Sequence, residues 1–261
     1  RLPHAAVICT MRTGKDLPWL FRRSLRRCRH IIANSHVAKR VLTDRHQLPA
    51  HKITVIHNPV LRSGSTDGPR NTALRRYYGA NPSTVVLLNV AMFRPEKNQR
   101  ELIEICSRLP GYLDWQLWLA GDGVMRKKCE RLAHDLGLGG RVRFLGYQSD
   151  PGPLYHAADV AVLASQSESL SNFLIEAQLH SLPAVAYDIV GVGECFVPSR
   201  SGFRLPNRDQ AGFVDALDKL IRTPGLRQRF AEAARRHALG HFVAERQTQA
   251  HLDLFAQLAK V

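Results

Sequence analysis

The chain has 261 residues, 44% hydrophobic and 23% charged, a balance that excludes wholesale disorder and allows a substantial core. No run of about 18 apolar residues occurs, so no helix is expected to cross a bilayer. Net charge is +15 and is concentrated at the front, where residues 1–60 hold twelve Lys/Arg against two Asp/Glu, a net +10.

The sequence begins at Arg1 with no methionine, signal peptide or transit segment, and reads as a piece of a longer protein. Short β-rich runs lie at 5–10, 30–34 and 53–58, then at 85–93, 115–120, 142–147, 160–164 and 184–187. Between them apolar residues recur three and four apart, as at Leu102, Ile103, Ile105, Cys106 and Leu109. Apolar strands separated by helices predict an α/β protein with a parallel sheet covered on both faces. The densest basic stretch, FRRSLRRCRH at 21–30, stands beside Trp19, Leu20 and Leu25. On a helix this sets a basic face next to an apolar one. Either residues 19–30 rest peripherally on an anionic membrane, or the apolar side packs in the core and the basic side is solvated. Nucleic acid is not an expected partner, because no aromatic-interleaved patch or known nucleic-acid module accompanies the charge.

The segment 58–71, NPVLRSGSTDGPRN, is rich in Pro, Gly and Ser and reads as a linker with a loop. After it, 85 to about 238 supplies one complete doubly wound domain; before it, 1–57 supplies only about three strands. The stretch 241–261 is expected to be one amphipathic helix carrying Phe242, Leu252, Leu254, Phe255 and Leu258. Five scattered cysteines (Cys9, Cys28, Cys106, Cys129, Cys195), without a CxxC pair, fit reduced, individually buried thiols in a cytosolic protein.

Open parallel sheets bind ligands beyond the carboxyl ends of their strands, and two segments there carry candidate chemistry. The first is FRPEKN at 93–98, where Arg94 and Lys97 flank a proline-stiffened turn ahead of a helix. A helix start attracts anions, and two cations add to it. Such a group can hold a diphosphate and neutralise the charge that builds as a glycosidic bond breaks. Taken alone, the same residues also fit a capped loop with solvated charges. The second is SQSESLSNFLIEA at 165–177. Glu168 and Glu176 would stand roughly 80° apart on one helix, so the serine-rich stretch is read as a loop holding Glu168. Ser171 or Asn172 then starts the helix and Glu176 sits about one turn inside it. The N–H groups of Leu170–Asn172 would meet phosphate and both carboxylates would accept sugar hydroxyls, although two unrelated acids fit the pattern as well.

Together with ANSHVAKRVL, ITVIHNPV, NVAMFRPEKNQRELIE, WLAGDG, RVRFLGY, LYHAADVAVLASQSESLSNFLIEA and GVGECF, in that order, these segments make the chain recognisable. Over nearly all its length it resembles the retaining GT-B glycosyltransferases of family 4, the glycosyl transferases group 1. The resemblance implies one complete Rossmann-like domain plus the C-terminal remnant of a second. Residues 1–58 would be the end of the acceptor domain, 59–240 the nucleotide-sugar donor domain, and 241–261 a helix crossing back to the first. It assigns Arg94 and Lys97 to the donor diphosphate and Glu168 to the transferred sugar, these three being the catalytic candidates. The backbone of Ser169, Leu170, Ser171 and Asn172 would run along sugar and phosphate, and Glu176 would bind the ribose. Gly146, Tyr147 and Gln148 would lie near the base.

The chain also departs from the family. The glycine-rich loop of the acceptor domain is absent, and where members place a histidine after the first strand this chain has Met11 and Arg12. Either Arg12 stands in as an electrostatic partner or the alignment shifts by a few residues; His4 is at the wrong end of that strand. No Asp-x-Asp pair occurs, and with Arg94 and Lys97 present no metal or other cofactor is expected. His237 and His241, four apart, lack a third ligand, and Trp115 and Trp118 have core spacing. The reading is a metal-independent hexosyltransferase moving a sugar from a nucleotide diphosphate to a glycan or lipid-linked hydroxyl. Cell-envelope polysaccharide or lipopolysaccharide synthesis is its expected setting, and its location cytoplasmic, peripheral on the inner face of the membrane. This piece is expected to bind donor and turn over poorly. The rivals are an epimerase or phosphorylase of the same fold and a non-catalytic basic binding module.

Overall fold

The computed structural model describes residues 6–12, 17–59, 66 and 68–259. The linker read at 58–71 falls in large part outside them, and His4 wholly so. The front part is a parallel sheet in the order β1-β2-β3, formed by β1 (Ile8–Met11), β2 (His30–Ala33) and β3 (Ile53–Val55). Helices α1 (Trp19–Arg27) and α2 (His36–Arg40) connect its strands, over a small core of Met11, Leu25, Ile31, Ala38, Leu42 and Ile53.

Helix α3 (Thr72–Tyr77) leads into the second sheet. There β4 (Val85–Val90), α4 (Gln99–Cys106), β5 (Trp115–Ala120), α5 (Arg126–Asp135) and β6 (Val142–Gly146) come first. They are followed by α6 (Gly152–Ala157), β7 (Val160–Leu163), α7 (Asn172–Leu179), β8 (Ala184–Tyr187) and β9 (Gly202–Leu205). Helices α8 (Gln210–Arg222), α9 (Pro224–His241) and α10 (Ala244–Ala259) close the chain. All six strands are parallel, in the order β6-β5-β4-β7-β8-β9. In β4 the pleat sends Val85 and Leu87 into one core and Val86 and Leu88 into the other, which is why the strand reads as an unbroken apolar run. Successive connections run outward from β4 to β5 and β6, then return to β7 on its other side. The β4/β7 boundary is therefore the switch point where such sheets open a crevice.

Several expectations need correction. Strand β4 ends at Val90 rather than 93, because residues 91–93 swing out to bond the end of β5: Ala91 N–H donates to Ala120 O at 3.0 Å and Phe93 N–H to Asp122 O at 2.8 Å. Strand β9 was not expected; it is a half-buried edge strand with Arg204 on it, so it lacks an apolar run. The closing segment is one helix, α10, but it starts at Ala244 rather than 241: α9 runs to His241, and Phe242 turns into the core at 1% exposure instead of lying on the helix. Of the apolar residues of α1, Leu25 packs in the core of the first unit, while Trp19, Leu20 and Phe21 are exposed. The thiols are not all individually placed either. Cys9 and Cys28 bring their sulfurs to 2.7 Å, because Cys9 lies on β1 and Cys28 just ahead of the paired β2.

Several contacts tie the units together, two of them away from the strand ends. Leu254 of α10 packs on Ile32 and Ile56 of the first unit, joined by Ala250 and Leu258. The Glu194 carboxylate, from the stretch between β8 and β9, accepts the N–H of His36 at 2.9 Å and of Val37 at 3.0 Å at the start of α2.

Candidate active site

The two loops singled out in the sequence leave the carboxyl ends of neighbouring strands, β4 and β7, and meet there. The Gln166 N–H donates to Glu96 O at 2.8 Å, stitching one loop to the other. Pro95–Lys97 forms a short 3-10 turn, and Asn98 ends it in the left-handed region at φ 55° before α4 begins. This places Lys97 opposite Glu168, with Nζ 2.6 Å from Oε1; the side chains are 26% and 8% exposed. Ser171 caps α7, its hydroxyl accepting the Leu174 N–H at 3.5 Å, so the helix starts where the serine-rich stretch indicates. Gly191 sits at φ 86° against this loop. A Cβ there would come within 2.6 Å of the Glu168 and Ser169 backbone, so only glycine allows the approach.

A cavity of about 340 Å³ opens at this point, lined by Arg94, Lys97, Glu168, Ser169, Leu170 and Asn172 of the predicted set. It is also lined by Arg12, Asn34 and Asn58 from the first unit. Ser169 Oγ donates to Asn34 Oδ1 at 3.0 Å, and Asn58 Nδ2 to Asn172 Oδ1 at 3.2 Å. Asn34 and Asn58 were missed in the sequence, although each is the last residue of the β-rich run read at 30–34 or 53–58 and the carboxyl-end rule applies to that sheet too. A neighbouring cavity of about 390 Å³ shares Arg12, Asn34, Asn58 and Asn172 and extends to Thr10, His57 and His251. Arg12 thus stands where the two hollows join.

The remaining predicted residues lie outside the smaller cavity. Ser171 is buried at the cap. Glu176 is one turn into α7, where the Tyr155 hydroxyl donates to its Oε2 at 2.6 Å. Burial lifts the Glu176 carboxyl above its usual range, and the Tyr155 hydrogen bond offsets part of that rise. Gly146 ends β6 and Tyr147 and Gln148 follow it, two strands and about 10 Å from β4. Gly146 takes φ 70° and its carbonyl accepts the Gly121 N–H at 2.7 Å, while Tyr147 is exposed. Chemically, the site offers two cations beside a buried carboxylate and a helix start, a setting suited to an anionic, hydroxyl-bearing ligand.

Sequence comparison points the same way. A family model described as glycosyl transferases group 1 matches residues 71–237, which contain both loops. The chain belongs to this family. A second model, glycosyltransferase family 4, matches residues 9–61. Among group 1 relatives, the lipopolysaccharide core biosynthesis glycosyltransferase LpsE of Rhizobium meliloti is 36% identical over 171 residues, covering 66% of this chain and 49% of that protein. The alpha-D-kanosaminyltransferase of Streptomyces kanamyceticus is 28% identical over 237 residues, covering 88% of this chain and 61% of its own length. The chain thus spans about half to three-fifths of these relatives. The crystal structure of Anabaena Alr3699/HepE in complex with UDP superposes with a TM-score of 0.87 at 21% identity, covering 96% of this chain and 72% of that one. A glycosyltransferase from Rickettsia africae gives 0.87 at 20% identity, covering 97% and 70%. These likenesses make the fold GT-B, with one Rossmann-like domain in this chain and part of another.

Proposed function

We propose that this chain carries the donor site of a retaining, metal-independent glycosyltransferase that uses a nucleotide diphosphate sugar. The reading rests on one observation: Arg94, Lys97 and Glu168 line a single cavity at the switch point, beside the start of α7. Lys97 and Arg94 hold the diphosphate and take up the charge that grows on it as the glycosidic bond breaks. Glu168 accepts hydroxyls of the sugar, Glu176 those of the ribose, and the turn at Gly146–Gln148 backs the base. The adjoining hollow around Arg12 and His251 receives the acceptor hydroxyl. That oxygen attacks the anomeric carbon from the side the phosphate leaves, and the departing phosphate oxygen takes its proton, so configuration is kept. The relative LpsE supports a glycan or lipid-linked acceptor in envelope polysaccharide synthesis. HepE, which binds UDP, supports a uridine donor.

Calorimetric titration with UDP, GDP and ADP tests the donor reading. One nucleotide, expected to be UDP, should bind one-to-one and equally well in excess EDTA. No binding of any of the three, or binding that EDTA abolishes, would overturn it. The chain alone is expected to turn over poorly, as it holds only part of the first unit. Release of an epimerised sugar without acceptor would favour the epimerase instead.

The exposed Trp19, Leu20 and Phe21 beside Arg22, Arg23, Arg26 and Arg27 favour peripheral contact of α1 with the anionic inner face of a membrane. Each arginine near such a surface contributes about 1 kcal/mol. Sedimentation with phosphatidylglycerol vesicles should be strong and should fall steeply in Arg22→Glu/Arg26→Glu. Equal binding to neutral vesicles would argue against the electrostatic contact.

A further inference from the structure

We infer that His36, His57 and Glu194 form a site for a divalent transition-metal ion of the zinc class, placed across the contact between the two units and outside the donor cavity. Each of the three offers one ligand atom, and these atoms lie within 4.8 Å of one another. The His57 Nε2 and Glu194 Oε2 are 3.2 Å apart. Zinc with bonds of about 2.0–2.1 Å in a tetrahedron separates its ligand atoms by about 3.3 Å, so this pair already stands at a tetrahedral edge. Two imidazoles and a carboxylate form one of the recurrent three-ligand sets for this ion, leaving a fourth position to water. His36 is exposed and provides the entry path.

The surroundings prepare the ligands. The carboxylate is oriented by the backbone N–H groups of His36 and Val37, at 2.9 and 3.0 Å. Such outer hydrogen bonds fix a ligand's direction and favour metal over mobile solvent. Burial pushes the Glu194 carboxyl upward, but the hydrogen bonds from His57, His36 and Val37 outweigh it and hold the group ionised below its usual range. The His57 ring is held edge-on by Phe242 at 5.1 Å between centroids. On binding, the ion takes the place of the His57 Nε2–Glu194 Oε2 hydrogen bond, and the neutral imidazole carries its proton on Nδ1. The ligands come from the start of α2, the residues just after β3 and the stretch after β8, so the ion would clamp the two units in one orientation.

The test uses the whole chain, stripped with chelator and desalted, titrated with zinc sulfate by calorimetry and with cobalt(II) by visible absorption. One ion per chain is expected, with Kd of about 1 µM or below, a tetrahedral cobalt spectrum and a raised Tm. His36→Ala and His57→Ala should each weaken binding at least tenfold, whereas His241→Ala and Cys9→Ser should leave it unchanged. Because the His36 side chain is exposed, its variant keeps the test decisive should His57→Ala fail to fold. Absence of saturable binding overturns the proposal. So does binding that survives His36→Ala, or that disappears in Cys9→Ser or His241→Ala, since the ion would then sit on the thiols or on the α9 histidines. The UDP titration is repeated on His36→Ala, a residue that lines neither cavity, so that loss of zinc binding and loss of nucleotide binding are read separately.

Discussion

Lys97→Ala is expected to weaken UDP binding by roughly 10- to 100-fold, the loss of about 1.5–3 kcal/mol that accompanies a charge-assisted hydrogen bond. Without ligand, Lys97 is neutralised by Glu168 at 2.6 Å, and that carboxylate is only 8% exposed. Removing the lysine deletes a cation and also leaves an unpaired anion facing the incoming diphosphate, so the two effects add. Arg94 lines the same cavity but is exposed, and water and salt screen it more fully. Arg94→Ala should therefore cost less and show the stronger salt dependence. Glu168→Gln separates the roles further: with Lys97 released, UDP should bind as well or better, while the affinity that the sugar adds to the sugar nucleotide over UDP should fall. Calorimetry on the three variants at two salt concentrations checks the ranking. Unchanged UDP affinity in Lys97→Ala would remove the diphosphate from this cavity.

The second large effect concerns stability. Arg75 of α3 is 2% exposed, yet both terminal nitrogens are fully engaged. One donates to Ala157 O at 2.7 Å and to Asp159 Oδ2 at 3.0 Å; the other donates to Asn81 O at 3.0 Å and to Thr84 O. Asp159 in turn accepts from Arg70 at 2.7 Å and from the Val86 N–H at 2.8 Å. The guanidinium thus pins α3 to the chain entering β4 and β7, the two strands whose far ends carry the cavity. Arg75→Ala leaves three carbonyls without this donor in a place with little water, and leaves Asp159 with only the half-exposed Arg70 and the Val86 N–H. A loss of about 3–5 kcal/mol is expected, the cost of breaking one side of a buried ion pair. At about 2–4 °C per kcal/mol for a chain of this size, Tm should fall by about 6–20 °C. Arg75→Lys should not rescue it, since an ammonium on a flexible stem cannot serve the same fork of acceptors. Urea unfolding followed by circular dichroism measures the effect. A loss below about 1 kcal/mol would mean that water replaces the guanidinium.

Much of the fold was legible because its strands are buried on both faces. The runs around Val85–Val90, Trp115–Ala120, Val160–Leu163 and Ala184–Tyr187 are continuous and apolar, which an amphipathic surface strand would not be. The cap at Ser171 was legible because a serine ahead of an apolar helical run offers an acceptor where the first N–H groups need one. Strand β9 escaped because Gly202–Leu205 is short and carries an arginine, and its pairing with β8 supplies what its composition does not. The exposure of Trp19, Leu20 and Phe21 escaped because helical periodicity says which residues share a face and nothing about what covers it.

Periodicity, turn chemistry and the carboxyl-end rule act over a few residues, and they sufficed to place Arg94, Lys97 and Glu168 on loops following strands. Their meeting is another matter. Lys97 faces Glu168 because β4 and β7 are neighbours across the reversal of strand order, and Asn34 and Asn58 reach the same cavity because Glu194 and α10 hold the first sheet against the second. The His36, His57 and Glu194 group has the same origin, its members lying 137 and 158 positions apart in the chain where they touch. Contacts of that span depend on how whole elements pack, and no local pattern of residues encodes them.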